Sequence, residues 1–328
     1  MSENSAVGTE SDFRVVLSDA ERNELAAIAR ELTQTPPALV DDEKWLAVAY
    51  RLAAAVPIRV RQELRRFQHD PGLDGVLLLS NLGLDDESLP QTPTRRGSVE
   101  RDATLPAATQ ALIALCLGEM IAYQKEKDGA LVQNVVPVQG QERTQSNAGS
   151  ADLEMHVENA FHAHRPDYVM LMCLRSDHEN RAGLLTGPLR RAFPHIPVAV
   201  REVLWQERFE TEAPPSFVAS GAKNLRHAVF SGASGDPNIL VDFNATRPLD
   251  DEARDAMDVL KEHLAAAAQT FVLGPGDLAV VDNRITVHGR SEFVPRYDGR
   301  DRWLHRSFIH LDGRRSLGSR VGDSQVIA

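Results

Sequence analysis

Through the first third of the chain apolar residues recur at helical spacing, and beyond it they fall in short runs separated by turn residues. The run LAAIARELTQ follows Ser18-Asp19-Ala20-Glu21, a hydroxyl with a carboxylate three residues on. That pair predicts a capping box and a helix, which Pro36-Pro37 must end. The same spacing predicts helices over 43–55, 59–67 and 107–120. Between them GVLLLSNL, 75–82, is short, apolar and bounded by turn residues, so a strand is expected. Segment 85–106 is rich in Pro, Ser, Thr, Asp and Arg and predicts a mobile loop, a candidate lid should it cover a site.

From about residue 132 the pattern becomes LVQNVVPV, DLEMHVE and DYVMLMCLR, three expected strands. Helical patterns follow over 185–193 and 197–212, then strand-like LRHAVFSG and ILVDFN. The stretch 250–270, acidic at its start and rich in alanine, predicts a long helix. TFVLGPGDLAVVDNRITVH gives two apolar runs joined by Gly274-Pro275-Gly276-Asp277, and RWLHRSFIHL alternates as a strand. Many short strands in the second half predict an α+β fold with a mainly β core: a jelly roll (double-stranded β-helix, cupin-like) with flanking helices. One domain is expected over 17–328, helical from 17 to 130 with the jelly-roll core at about 131–320, after a disordered or loosely docked tail, 1–16. No internal repeat, GxGxxG, P-loop or zinc-type Cys/His cluster occurs.

Composition narrows the class. Hydrophobic residues make up 42% of the 328, ample for a buried core. A net charge of -11 and a pI near 5.5 argue against general affinity for nucleic acid or anionic membrane, so the expected partner is a small molecule. Charge and composition do not decide the oligomeric state. Cys116 and Cys173 lie in apolar runs and read as buried thiols of a reducing compartment. The start, MSENSAVGTESD, lacks the cationic and apolar regions of a signal peptide, and no long apolar span occurs, so the cytoplasm is expected.

Against this background LEMHVE stands out. On a strand, residues i and i+2 share a face, so His156 and Glu158 are placed to grip one ion. His288, in DNRITVHGRS, would complete two histidines and a carboxylate with the remaining positions open, the facial arrangement of non-haem Fe(II) oxygenases. A plain reading stands beside it: with 11 histidines, His-x-Glu pairs also arise by chance on solvated strand faces, and His288 alone fits a hydrogen-bonded core residue. Arg302 and Arg306, in DGRDRWLHRSF, share one strand face and suit bidentate recognition of carboxylates, or are a pair of surface arginines.

The segments LEMHVENAFHAHRPDYVMLMCLRSDHE and GPGDLAVVDNRITVHGRSEFVPRYDGRDRWLHRSFIHLD resemble those of clavaminate synthase and its relatives. These are Fe(II)/2-oxoglutarate-dependent hydroxylases of arginine, asparagine or lysine-like substrates. The resemblance runs from about Leu112 to the end and is densest in those two segments. It implies Fe(II) as cofactor, with 2-oxoglutarate and O2 as co-substrates. It also implies His156, Glu158 and His288 as iron ligands, Arg302 at the distal carboxylate of 2-oxoglutarate, and Arg306 at the carboxylate of the amino acid. Ser146 and Gln124 match substrate-contacting positions, and Asp242, in LVDFN, matches an aspartate that pairs with a cationic side chain. Without a substrate, a buried Asp242 would need Arg226 or Lys223 as its partner. The family threonine that helps hold 2-oxoglutarate has no in-register counterpart; Thr186, in RAGLLTGP, serves only across a small gap. The implied activity is hydroxylation of an unactivated C–H bond of a free, basic L-amino acid, in secondary metabolism such as antibiotic biosynthesis. The alternatives are oxidative cyclisation or desaturation of a modified amino acid, and, from another class, a metal-binding jelly-roll sensor without turnover.

Overall fold

The computed structural model describes residues 14–84, 86–218, 224–322 and 324–328. Most of the expected tail, 1–13, and Lys223 lie outside the described residues. The helices are α1 (Asp19–Thr33), α2 (Glu43–Ala53), α3 (Ile58–His69), α4 (Leu105–Leu117), α5 (Leu189–Ala192), α6 (Val198–Leu204), α7 (Pro215–Val218) and α8 (Asp251–Ala266). The first nine strands are β1 (Arg14–Val16), β2 (Val76–Ser80), β3 (Val99–Glu100), β4 (Glu119–Tyr123), β5 (Val132–Val135), β6 (Leu153–His156), β7 (Tyr168–Arg175), β8 (Gly183–Pro188) and β9 (Phe209–Thr211). The rest are β10 (Leu225–His227), β11 (Phe230–Ala233), β12 (Asp236–Ile239), β13 (Thr246–Pro248), β14 (Gln269–Val272), β15 (Leu278–Asp282), β16 (Thr286–Arg290), β17 (Trp303–His310) and β18 (Val326–Ile327).

A nine-stranded sheet runs β1-β2-β15-β7-β17-β4-β18, with β5 also on β17 and β3 on β5, and a four-stranded sheet runs β14-β8-β16-β6. Strand alternation divides their side chains. On β7, Val169, Leu171 and Cys173 meet Leu184 of the smaller sheet in one apolar cluster. Tyr168, Met170, Met172 and Leu174 point the other way, onto α1 to α4, with Trp45, Leu64, Phe67 and Leu112. A third cluster, with Met155, Val157, Val287, Leu260 and Leu264, seats α8 behind the smaller sheet. Two facing sheets with helices outside are the expected jelly roll. The large sheet nevertheless takes β1, β2 and β4 from the amino-terminal part, and residues 14–16, expected in the tail, form β1 beside β2.

The capping box of α1 is present, with Ser18 accepting from the Glu21 amide and Glu21 accepting from the Ser18 amide. Other expectations are corrected. Residues 183–188, most of them in the expected 185–193 helix, form β8 between β14 and β16, and helix resumes only at Leu189. The expected 197–212 helix stops at Leu204, before β9. Of the expected loop 85–106, the described part, 86–106, is tied down: Arg175, 3% exposed, donates to Asp86 at 2.5 Å and to Thr92 at 2.7 Å, and also reaches the Pro90 carbonyl. Among the described residues, no helix is long and apolar enough to cross a membrane.

Candidate active site

Strands β6 and β16 pair antiparallel with His156 directly opposite His288. Their close approach depends on Gly289, where a Cβ would lie 2.4 Å from the Leu153 carbonyl oxygen. Strand alternation turns Met155 and Val157 outward, into the cluster under α8, and His156 and Glu158 inward. The His156 and His288 ring centres are 4.6 Å apart, and His288 Nε2 lies 3.7 Å from a Glu158 oxygen. One donor atom from each of the three residues falls within 4.8 Å of the others.

Each donor is held in a useful state. His156 Nδ1 lies 2.9 Å from the Glu154 carbonyl, which can only accept, so Nδ1 carries a proton and Nε2 is the nitrogen left for a metal. Burial works to raise the Glu158 carboxyl, but the Arg306 guanidinium and the nearby His288 outweigh it and hold the group well below the ordinary carboxylate range. Burial, with a smaller contribution from His156, holds His288 below its usual value, although Glu158 opposes this. The His288 Nδ1 is buried without a partner among the described residues. Asn283, wholly buried in the β15–β16 turn, braces the carboxylate's backbone: its Oδ1 accepts from Glu158 N at 2.8 Å, and its Nδ2 donates to the Glu158 carbonyl at 3.2 Å and the Pro166 carbonyl at 2.9 Å. Two imidazoles and an ionised carboxylate, converging on the inner face of the paired strands, fit a ferrous ion.

Two chambers meet at this triad. The larger, about 480 Å³, is lined by Glu126, Ser146, Asn147, Phe161, Phe217 and Asp242 together with His156, Glu158 and Arg306. A narrow chamber runs deeper between the sheets, with Val169, Leu171, Leu184 and Leu304 as apolar walls and Arg302 and Arg290 among its polar groups. Arg302 is buried, yet it makes no hydrogen bond or ion pair among the described residues; its guanidinium carbon sits 5.7 Å from the Phe293 ring centre. Arg306 is the opposite case. Its Nη1 contacts both Glu158 oxygens at 3.0 and 2.9 Å, its Nε reaches Gln133 at 3.2 Å, and it also pairs with Glu126. With its amide turned to satisfy both ends, Asn147 accepts from both terminal nitrogens of Arg306 at 2.9 and 3.0 Å.

Asp242 faces the larger chamber, because residue 242 bridges His156 in antiparallel fashion and shares its face. Its Oδ1 accepts from the Asn244 and Ala245 amides at 2.8 and 3.1 Å. Arg226 is spent elsewhere, on the Glu207 carbonyl. Ser146 also borders the chamber, though its hydroxyl is engaged with Thr144 and the Ala148 amide. Two expected residues fall outside. Gln124 is exposed beyond the end of β4, and the chamber takes Glu126 instead. Thr186 pairs with His288, but its fully buried hydroxyl points to the Gln269 carbonyl at 3.4 Å; the wall residue is Leu184. Arg290, Asn283, Glu126 and Asn147 were missed. Arg290 alone had a clear signal, standing two residues after His288 on one strand.

Facing sheets with an inward His-Glu-His set and a basic, narrow inner chamber define the fold and site of a non-haem Fe(II) oxygenase. Comparison with known proteins agrees. The family described as taurine catabolism dioxygenase TauD, TfdA family, matches residues 189–308. L-asparagine oxygenase of Streptomyces coelicolor is 45% identical over 98% of this chain and 97% of its own. Clavaminate synthase 2 of Streptomyces clavuligerus is 35% identical over 92% and 94%. The structure of asparagine oxygenase with Fe(II), 2S,3S-3-hydroxyasparagine and succinate superposes with a TM-score of 0.93, covering 96% of this chain and 99% of that one. The chain belongs to the TauD/TfdA family, within its Fe(II)/2-oxoglutarate-dependent amino-acid oxygenases.

Proposed function

We propose that the chain hydroxylates a free L-amino acid at the triad, with His156, Glu158 and His288 holding Fe(II) and the two chambers dividing the ligands between them. Bound there, Fe(II) with 2-oxoglutarate supplies the activation of O2 and the insertion of oxygen into an unactivated C–H bond, with release of succinate and carbon dioxide. The chain's own residues bind, orient and exclude water. Arg302 neutralises the distal carboxylate of 2-oxoglutarate, whose apolar methylenes lie along Leu171, Leu184 and Leu304. Arg306 would take the amino-acid carboxylate, sharing its guanidinium with Glu158, which would hold the iron. Asn147, on Arg306, and Glu126, a carboxylate suited to an α-ammonium group, flank that carboxylate position. Phe161 and Phe217 close the apolar side of the chamber.

The observation that sets the substrate class is Asp242. Of the five acids bordering the larger chamber, Glu154 is paired with Lys261, Glu212 with Arg247, and Glu126 and Glu158 with Arg306. Among the described residues Asp242 has no cation, so its second oxygen is the acceptor left for a substrate. Two backbone amides already stabilise its charge, so a neutral side-chain amide suffices as donor. We therefore place an asparagine-like side chain first, in keeping with the oxygenase relative, and the basic side chain expected from sequence second. Screening L-amino acids for a product heavier by one oxygen separates the two, and a product lighter by two hydrogens would indicate desaturation. Asp242→Ala should raise KM for the amino acid about 10- to 100-fold, the worth of a hydrogen bond to a charged group, and leave that for 2-oxoglutarate unchanged. Equal effects on both would remove Asp242 from the substrate site.

A further inference from the structure

The deep chamber holds a second arginine that the proposed chemistry leaves unused. Arg290 follows His288 by two residues on β16 and so faces inward beside it. The residue is 5% exposed, and its Nε is buried with no hydrogen-bond partner among the described residues. The terminal nitrogens reach a single loop: Nη2 donates to the Ala151 carbonyl at 2.8 Å and Nη1 to the Ser146 carbonyl at 3.4 Å. That loop joins β5 to β6 and carries Gln145, Ser146 and Asn147 into the wall of the larger chamber.

Arg290 and Arg302 are neighbours of one ring, each with its guanidinium carbon 5.7 Å from the centre of Phe293. Neither forms an ion pair with a carboxylate among the described residues. Burial, followed by repulsion from Arg302, pushes Arg290 down to about 9, with Asp152 partly offsetting both. Two buried cations with no ion-paired carboxylate are costly, and an anion placed between them removes most of that cost.

We propose that Arg290 is a positioning residue that shares the distal carboxylate of 2-oxoglutarate with Arg302 and passes its presence to the substrate wall through the Ser146 and Ala151 carbonyls. This rests on the assignment of Arg302 to that carboxylate. With the carboxylate present, Nε finds an acceptor and the two arginines stop repelling, so the forked grip on the loop tightens. With it absent, repulsion between the two arginines weakens the grip, and Asn147 is held less firmly over Arg306. The co-substrate thereby builds the wall against which the amino acid binds.

The test uses the full chain loaded with Fe(II) without oxygen. It reads 2-oxoglutarate affinity by calorimetry and backbone hydrogen exchange over residues 142–151. In the wild type, 2-oxoglutarate should slow exchange in the loop before any amino acid is added. Arg290→Met should weaken 2-oxoglutarate about tenfold, the worth of one charged hydrogen bond, and leave the loop exchanging fast with or without it. Arg290→Lys keeps the charge but not the fork, so it should retain most of the affinity while the loop still exchanges fast. Wild-type exchange that ignores 2-oxoglutarate, or unchanged affinity in Arg290→Met while Arg302→Met binds weakly, overturns the role of Arg290. Unchanged affinity in Arg302→Met instead overturns the assignment of the deep chamber itself.

Discussion

Replacing Glu158 with alanine is expected to abolish succinate formation and lower the stability of the metal-free protein at the same time. The first effect follows from the donor set. Two imidazoles without the carboxylate leave a weaker, less charged site, and a loss of several kcal/mol at the metal corresponds to more than about a thousandfold in rate. The second follows from Arg306, a buried guanidinium that contacts both Glu158 oxygens. Removing one partner of a buried pair costs roughly 3 to 5 kcal/mol, and the low end applies because Glu126 and Gln133 remain on Arg306. Iron content, succinate release and a thermal melt of the metal-free variant check both effects. An alanine variant that melts like the wild type would show that Arg306 does not depend on Glu158.

Arg302→Met should behave in the opposite sense with respect to stability. KM for 2-oxoglutarate should rise by about 100-fold or more, because a bidentate, charge-assisted contact in a buried chamber is lost. The amino-acid KM at saturating 2-oxoglutarate should change little. The ligand-free protein should melt at the same temperature or higher, since Arg302 is buried, makes no bond among the described residues and is replaced by an apolar side chain of similar length. A destabilised variant with normal 2-oxoglutarate affinity would mark Arg302 as a structural residue. Activity falling while stability holds or rises is the signature of a group kept for its ligand.

The parts of the site legible in the sequence are those that obey a local period. His156 and Glu158 share a face because strands alternate, and the same rule joins Arg302 to Arg306 and His288 to Arg290. Asp242 was legible as a residue but not as a neighbour: its approach to His156 is a long-range bridge that no local pattern encodes. Thr186 shows where periodicity misleads. LLTGPL has apolar residues at helical spacing, yet pairing with β14 and β16 makes its first part a strand, and the hydroxyl turns to Gln269 rather than to the chamber. Around Gln124 the obstacle is a turn. Lys127 and Asp128 adopt φ values of 48° and 53°, so the chain bends just past β4, and Glu126 reaches Arg306 while Gln124 stays exposed. The loop 85–106 has the composition of a mobile segment, but Arg175, distant in sequence, fastens it. At Thr186 and in the Arg175-fastened loop a partner far along the chain overrode the local preference.

The central claim is that the His156, Glu158 and His288 centre turns over an amino acid. Succinate release measured with Fe(II), 2-oxoglutarate and single L-amino acids addresses it most directly. The structure predicts release that requires both iron and an amino acid, strongest with a side chain that donates to Asp242, and matched one for one by a product heavier by one oxygen. Tight binding of amino acids with no succinate above the iron-only background, across the whole set, would contradict it and leave a metal-binding sensor in its place.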